Sequence, residues 1–192
     1  WTNLSPIGLI PAIEDDGVRL ADSSVICLYL ERKKPLPSIY PAAAADYGQA
    51  LWVEEYVDGN LASHVLTGLL LQRVFAPKFL NRPTDTAAVD KSLTQMIPPR
   101  LAYLESVLTG EYFAGSAFSI ADITVASILI NFHYAGEMLS AATYPKLHRF
   151  LRSVLRLPSF AAALEIEAPA AVAATGGAMD MRLLKELGFS SN

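Results

Sequence analysis

The chain has 192 residues, 52% of them apolar and 18% charged, with a formal net charge of −4. That length holds one large domain or a small one beside a larger one, with enough core to fold without staples. Basic residues form no cluster along the sequence, which argues against a nucleic-acid partner, because phosphate binding needs concentrated Lys and Arg. A single cysteine, Cys27, excludes an internal disulfide and every Cys-rich metal motif, and it points to a reducing cytoplasm. The most apolar run, Ile123 to Ile130, is far shorter than the ~20 residues a bilayer requires, so no membrane span is expected. No signal peptide is visible. The chain opens on Trp1 rather than on methionine, which leaves room for an upstream segment.

Residues 1–34 read as mixed structure. Leu9 to Ile13 suggests a short strand, Glu14-Asp15-Asp16-Gly17 carries hairpin chemistry, and Val18-Arg19-Leu20 alternates as a return strand. Asp22 and Ser23 then precede Val25, Leu28 and Tyr29 at helical spacing, with either polar residue able to cap the helix. The helix should stop before Pro35-Leu36-Pro37. One hairpin and one helix are too little for a stable domain, so the sequence reads as beginning in mid-domain.

Residues 35–44 read as a linker, and from there on no strand signal occurs. A long helix is expected from about Ala45 to Phe75, with Trp52, Tyr56, Val65, Leu66, Leu69 and Leu70 on its apolar face. A second follows Pro83-Thr84-Asp85 and carries Val89, Leu93, Met96, Ile97, Leu101, Leu104 and Leu108 in phase, with a kink or break at Pro98-Pro99. Ile120 to Leu139 is apolar nearly all round in its first half, as in a helix buried at the centre of a bundle. Pro145 and Pro158 each open a further helix. Glu167 to Gly177, rich in Ala, Gly and Pro, reads as loop, and Met181 to Leu187 as a last short helix ended by Gly188.

Three constellations carry chemistry. Ser119-Ile120-Ala121-Asp122 is a capping box with Asp in the Glu position, flanked by a Phe118–Ile123 staple; its residue types are fully explained by capping. Ile10-Pro11 among strand residues reads, by itself, as an edge-strand proline. Asp22-Ser23 at a helix start is either a cap or an anion site, where backbone N–H groups and the helix dipole hold a carboxylate. Cys27, inside Val25-Ile26-Cys27-Leu28, reads as a buried, inert thiol. His64, His133 and His148 show no metal-ligand spacing, so no metal is expected.

The order of these signals resembles the glutathione S-transferase superfamily. The matching stretches are Ser5-Pro6-Ile7-Gly8-Leu9-Ile10-Pro11-Ala12-Ile13, Leu20-Ala21-Asp22-Ser23-Ser24-Val25-Ile26-Cys27-Leu28-Tyr29-Leu30, Gly115-Ser116-Ala117-Phe118-Ser119-Ile120-Ala121-Asp122, and Tyr144-Pro145-Lys146-Leu147 followed by Leu157-Pro158-Ser159-Phe160. The resemblance implies an α+β, two-domain fold: residues 1–34 as the C-terminal part of a thioredoxin-like βαβ-ββα domain, residues 35–44 as linker, and residues 45–192 as an all-α C-terminal bundle. It implies that Pro11 is a cis-proline and that Ile10 offers its backbone N–H and C=O to the cysteinyl part of glutathione. Ser23 would hold the γ-glutamyl carboxylate, with Asp22 fixing that end. Leu9 stands where many relatives carry a lysine for the glycyl carboxylate. The Tyr, Ser or Cys that activates the glutathione sulfur would lie upstream of this sequence, so the catalytic residue is unassigned.

By position, Tyr56, Asn60, Ser63 and His64 are candidates to line a site for a small apolar electrophile, with Phe189 as part of a lid. Tyr56 in the core with the others facing solvent is an equally good reading. The resemblance further implies a homodimer. Three functions follow from it: a transferase attacking apolar electrophiles with the glutathione thiolate, a non-catalytic binding or scaffold protein, and a glutathione-dependent disulfide reductase.

Overall fold

A computed structural model describes residues 4–6, 8 and 10–175. Strands β1 (Ala12–Asp15) and β2 (Val18–Ala21) form an antiparallel pair in which Ala12 faces Ala21 and Asp15 faces Val18. Asp16 and Gly17 turn the hairpin with φ of 49° and 80°. Both central residues of this tight turn need a positive φ, which Asp-Gly tolerates. The first strand starts at Ala12, later than the alternation suggests, because Pro11 has no N–H to give a ladder.

Helix α1 (Ser23–Lys33) follows directly, and Asp22 is its cap, accepting from the Val25 N–H at 3.1 Å. The Tyr29 hydroxyl donates to Asp15 at 2.9 Å, and Lys33 bonds both Asp15 and Asp16, so the helix is pinned along the hairpin. Ile26 is the buried residue of α1. Val25 and Leu28, which the helical spacing marks as core, are 45% and 41% exposed. The spacing identifies an apolar face correctly, but no described residue covers it.

The linker is bonded on both sides. Glu31 of α1 accepts from the Ser38 hydroxyl and from the Ile39 N–H, and the Ile39 carbonyl accepts from the Ile120 N–H at 2.8 Å. A long helical rod then runs through α2 (Ala44–Tyr56), two wide-turn segments π1 (Val57–Leu61) and π2 (Ser63–Phe75), and α3 (Ala76–Phe79). In the wide turns the Ala62 N–H reaches back to the Val57 carbonyl and the Ala76 N–H to that of Leu71, five residues away. Turns of that pitch hold more residues than α turns, so a spacing of four keeps one face. Val53, Val57, Leu61, Val65 and Leu69 are accordingly the buried stripe. Trp52, 51% exposed, and Leu66 fall outside it, contrary to the α-period reading.

The second rod is α4 (Thr86–Lys91), π3 (Ser92–Met96) and α5 (Ile97–Val107), capped by Asp85. No break occurs at Pro98-Pro99. The prolines follow directly on the wide turn of π3, where the rod passes into α5 and each proline forfeits one backbone bond. The two rods touch where a Cβ on Gly68 would stand 2.1 Å from the Ser92 hydroxyl, so any side chain there would force Ser92 to move.

Helix α6 (Ile120–Tyr134) lies in the middle of the bundle, against α2, π1, π2 and α7 (Pro145–Val154). It ends at Tyr134 rather than Leu139, closed by bonds from the Gly136 N–H to His133 and from the Glu137 N–H to Phe132. Helix α8 (Pro158–Thr175) overturns the expected loop from Glu167 to Thr175, while Gly176 and Gly177 lie outside the described residues. Pro169 forfeits a bond inside the helix, but the surrounding alanines favour it, and the Tyr134 hydroxyl to Glu167 and Lys78 to the Ala173 carbonyl hold its far half in place. Met181–Leu187 and Phe189 lie outside the described residues.

The architecture is α+β, a hairpin and helix beside an all-helical bundle. No described helix is long and apolar enough to cross a membrane. The reading that no basic cluster exists also needs correction: α7 and its C-terminal end gather Lys146, Arg149, Arg152 and Arg156 into a basic stretch that overall charge conceals.

Candidate functional site

The hairpin brings the first and third constellations together. Ala12 pairs with Ala21, which sets Pro11 beside Asp22, and the Asp22 N–H donates to the Pro11 carbonyl at 3.3 Å. The Ile10–Pro11 peptide bond is cis, as the resemblance implies and unlike the plain edge-strand reading. Ile10, just ahead of the hairpin, is 76% exposed.

Asp22 has φ 95° and ψ 128°, a conformation rare for a residue with a side chain. Strain of this kind persists where surrounding structure enforces it, and it concentrates at binding sites. Here the Pro11 bond and the cap to Val25 hold it. Asp22 therefore does the capping, and Ser23 is left as the first helical residue, exposed, its hydroxyl without a partner among the described residues. The N–H groups of a first helical turn have no partner within the helix, and the dipole places partial positive charge there. A hydroxyl, an N–H and that dipole at one exposed point can hold a carboxylate.

The neighbouring rod adds carboxylates that the sequence reading missed. The Ser24 hydroxyl donates to Asp58 at 3.4 Å. Glu54, one turn earlier on the same face, is buried, and its carboxyl is pushed above the usual range by burial, with a Ser24 hydrogen bond opposing the shift. No local signal marks them in the sequence, since Glu54 lies beside a buried stripe whose phase only the structure gives. A partial positive charge flanked by exposed carboxylates suits a zwitterion, with the carboxylate on the helix start and the ammonium toward Asp22 and Asp58. Burial also raises the Cys27 thiol, assisted by the charges of Glu54, Asp58 and Asp22. A half-buried thiol so placed is a poor nucleophile.

The four electrophile-site candidates do not share this face. Tyr56 packs against Tyr103 with the rings tilted by 42° and centroids 4.4 Å apart, and Trp52 donates to the Tyr103 hydroxyl at 2.6 Å. Asn60 accepts from Arg100 at 2.6 Å through its side chain and at 3.2 Å through its carbonyl. His64 has its basicity lowered by burial and then by Arg100 and Lys91. These three turn toward the second rod, whereas Ser63 faces solvent. Leu9 and Phe189 lie outside the described residues.

Ser119 and Asp122 form the expected capping box. Asp122 is fully buried and accepts from the Phe113 N–H at 2.9 Å, the Ser119 N–H at 2.8 Å and the Ser119 hydroxyl at 2.9 Å. Among the described residues, no group of His, Cys, Asp and Glu side chains is arranged to hold a metal ion.

Residues 2–38 match the family of glutathione S-transferase N-terminal domains, and residues 71–167 that of glutathione S-transferase C-terminal domains. Glutathione S-transferase 1 of Zea mays is 27% identical over 160 residues, spanning 81% of this chain and 72% of the relative. A stringent starvation protein A homolog of Haemophilus ducreyi is 22% identical, spanning 88% and 73%. A solved structure of glutathione S-transferase-I bound with lactoylglutathione superposes with a TM-score of 0.70 at 22% identity, covering 84% of this chain and 76% of that one.

Proposed function

The chain belongs to the glutathione S-transferase superfamily, and on that premise we propose that it is a glutathione-dependent transferase acting on small apolar electrophiles. The observation that carries this reading is the open start of α1. Ser23 keeps its N–H and hydroxyl for a carboxylate because Asp22 has taken over the capping. The γ-glutamyl end of glutathione is an α-amino acid, the zwitterion this corner suits, with Ser23 on its carboxylate and Asp22 nearest its ammonium. Ile10 offers backbone N–H and C=O to the cysteinyl part beside Pro11. Anchored at these points, the thiol is directed out of the hairpin mouth, where its thiolate attacks an electrophilic carbon; the C–S bond forms as the leaving group departs with its electron pair. Cys27 takes no part, since burial keeps it a thiol. The residue that activates the glutathione thiol is not assigned to any described side chain. Tyr56, Asn60, Ser63 and His64 stay the candidates for the electrophile, through whichever edges of Tyr56 and His64 the second rod leaves open. A cytoplasmic setting and a homodimer built on α1 and the two rods belong to the same proposal.

The test is an absorbance assay of glutathione conjugation to an activated aryl chloride by the full chain, with a glutathione mixed disulfide as the alternative substrate. Conjugation supports the transferase reading. Thiol release from the disulfide without conjugation selects the reductase. The likeness to a stringent starvation protein A homolog favours one further reading, a protein-binding module; a folded chain with neither activity and no glutathione binding selects it.

A further inference from the structure

Residues 138–164 contain Lys146, Arg149, Arg152 and Arg156 and not one Asp or Glu, in a chain whose net charge is −4. The positive charge is gathered on one helix, α7, and its end. Arg149 and Arg152 stand one turn apart on α7 and Arg156 follows just beyond its end, and all three line one concavity, forming a basic stripe. Leu147, Phe150, Leu151 and Val154 bury the opposite face, which fixes the stripe outward.

Arg149 and Arg156 are exposed, and their guanidinium groups make no ion pair or hydrogen bond with any described residue. Two shallow concavities flank the stripe: one includes Lys146 and Arg149 with Glu111 on its rim, the other His148 and all three arginines. Phe150, the one aromatic residue lining either, is buried. None of these residues belongs to the site at the start of α1.

We propose that the arginine face of α7 is a docking surface for an acidic peptide segment of a partner protein. Guanidinium groups bind carboxylates through two parallel hydrogen bonds, a geometry lysine lacks. Glutamates at i and i+7 of a partner helix have the same separation in sequence as Arg149 and Arg156, and one at i+4 falls at the middle of the stripe when the partner helix runs antiparallel. Nucleic acid fits less well. It needs a longer basic track and exposed aromatic rings for unpaired bases, and the remaining surface of an acidic chain repels an extended polyanion. A short acidic segment meets the stripe and little else.

The test is fluorescence anisotropy of the full chain with a labelled Ala/Glu helical peptide carrying glutamates at i, i+4 and i+7. A Gln-for-Glu peptide and an oligothymidylate of equal charge serve as comparisons. The expected result is saturable binding of the Glu peptide that weakens as salt is raised, with no binding of the Gln peptide. Arg149→Glu/Arg156→Glu should weaken it at least tenfold with an unchanged circular dichroism spectrum, and Arg149→Gln/Arg156→Gln, the milder pair should the first not fold, severalfold. No binding by the wild type at low salt overturns the proposal. So does equal binding by the substituted chains, and so does tighter binding of the oligothymidylate, which would make the face a nucleic-acid surface.

Discussion

Two helices of this protein begin on an acid and a serine, and the two beginnings are built to opposite ends. At the start of α6 the pair closes on itself. Asp122 spends its oxygens on Phe113 and Ser119, everything is buried, and nothing is left to meet a ligand. At the start of α1, Asp22 reaches past Ser23 to cap Val25 from a strained backbone, and Ser23 stays exposed with its hydroxyl unspent. The same residue types serve stability at the start of α6 and, in the function proposed above, recognition at the start of α1. What separates them is whether the hydrogen-bonding capacity of the helix start is consumed within the chain.

Substitutions can break that contrast. The largest effect is expected from Asp122→Ala, which strands the buried N–H groups of Phe113 and Ser119. At about 1–3 kcal/mol for each unsatisfied group, urea unfolding should show a loss of roughly 3 kcal/mol or more. A loss within ~0.5 kcal/mol, the range of an ordinary surface substitution, would contradict the closed reading of this helix start. Ser23→Ala should do the reverse. Stability should stay within ~0.5 kcal/mol, while glutathione affinity falls by about tenfold or more, the value of a hydrogen bond to a charged group. Ser119→Ala should cost about 1 kcal/mol of stability, as an ordinary cap does, and leave glutathione affinity unchanged.

The smallest effect concerns Glu54, beneath α1. Burial raises its carboxyl above the usual value of 4.5. The folded state therefore holds this proton more tightly than the unfolded chain. Its contribution to stability is complete below that value and is lost as pH rises through the raised one. Glu54→Gln should melt higher than wild type at pH 7, with the difference shrinking as pH approaches 4.5. A difference independent of pH would mean that Glu54 is charged without cost where it sits.

Much of this was legible in the sequence because it rests on local chemistry. Asp16-Gly17 announced the turn, Ser119 and Asp122 the capping box, and the prolines at 145 and 158 the helix starts, each needing no distant partner. The errors came where tertiary structure decides. Val25 and Leu28 form a real apolar face, but a spacing does not reveal whether anything covers it. The wide turns of the first rod moved the buried stripe onto Val53, Val57, Leu61, Val65 and Leu69, a phase that an α-period reading cannot find. Glu167 to Thr175 stays helical because Tyr134 and Lys78 reach it from other helices. At the candidate site, Pro11, Asp22 and Ser23 could be named in advance. Glu54 and Asp58 could not, because only the docking of the rod against α1 brings them to Ser24.

The central claim is that the start of α1 holds the γ-glutamyl carboxylate through Ser23. Calorimetric titration of wild type and Ser23→Ala, each with glutathione and with an analogue lacking that carboxylate, tests it directly. The account predicts that the substitution weakens glutathione binding about tenfold or more and that the analogue binds both chains equally weakly. Equal affinity of the two chains for glutathione would contradict it.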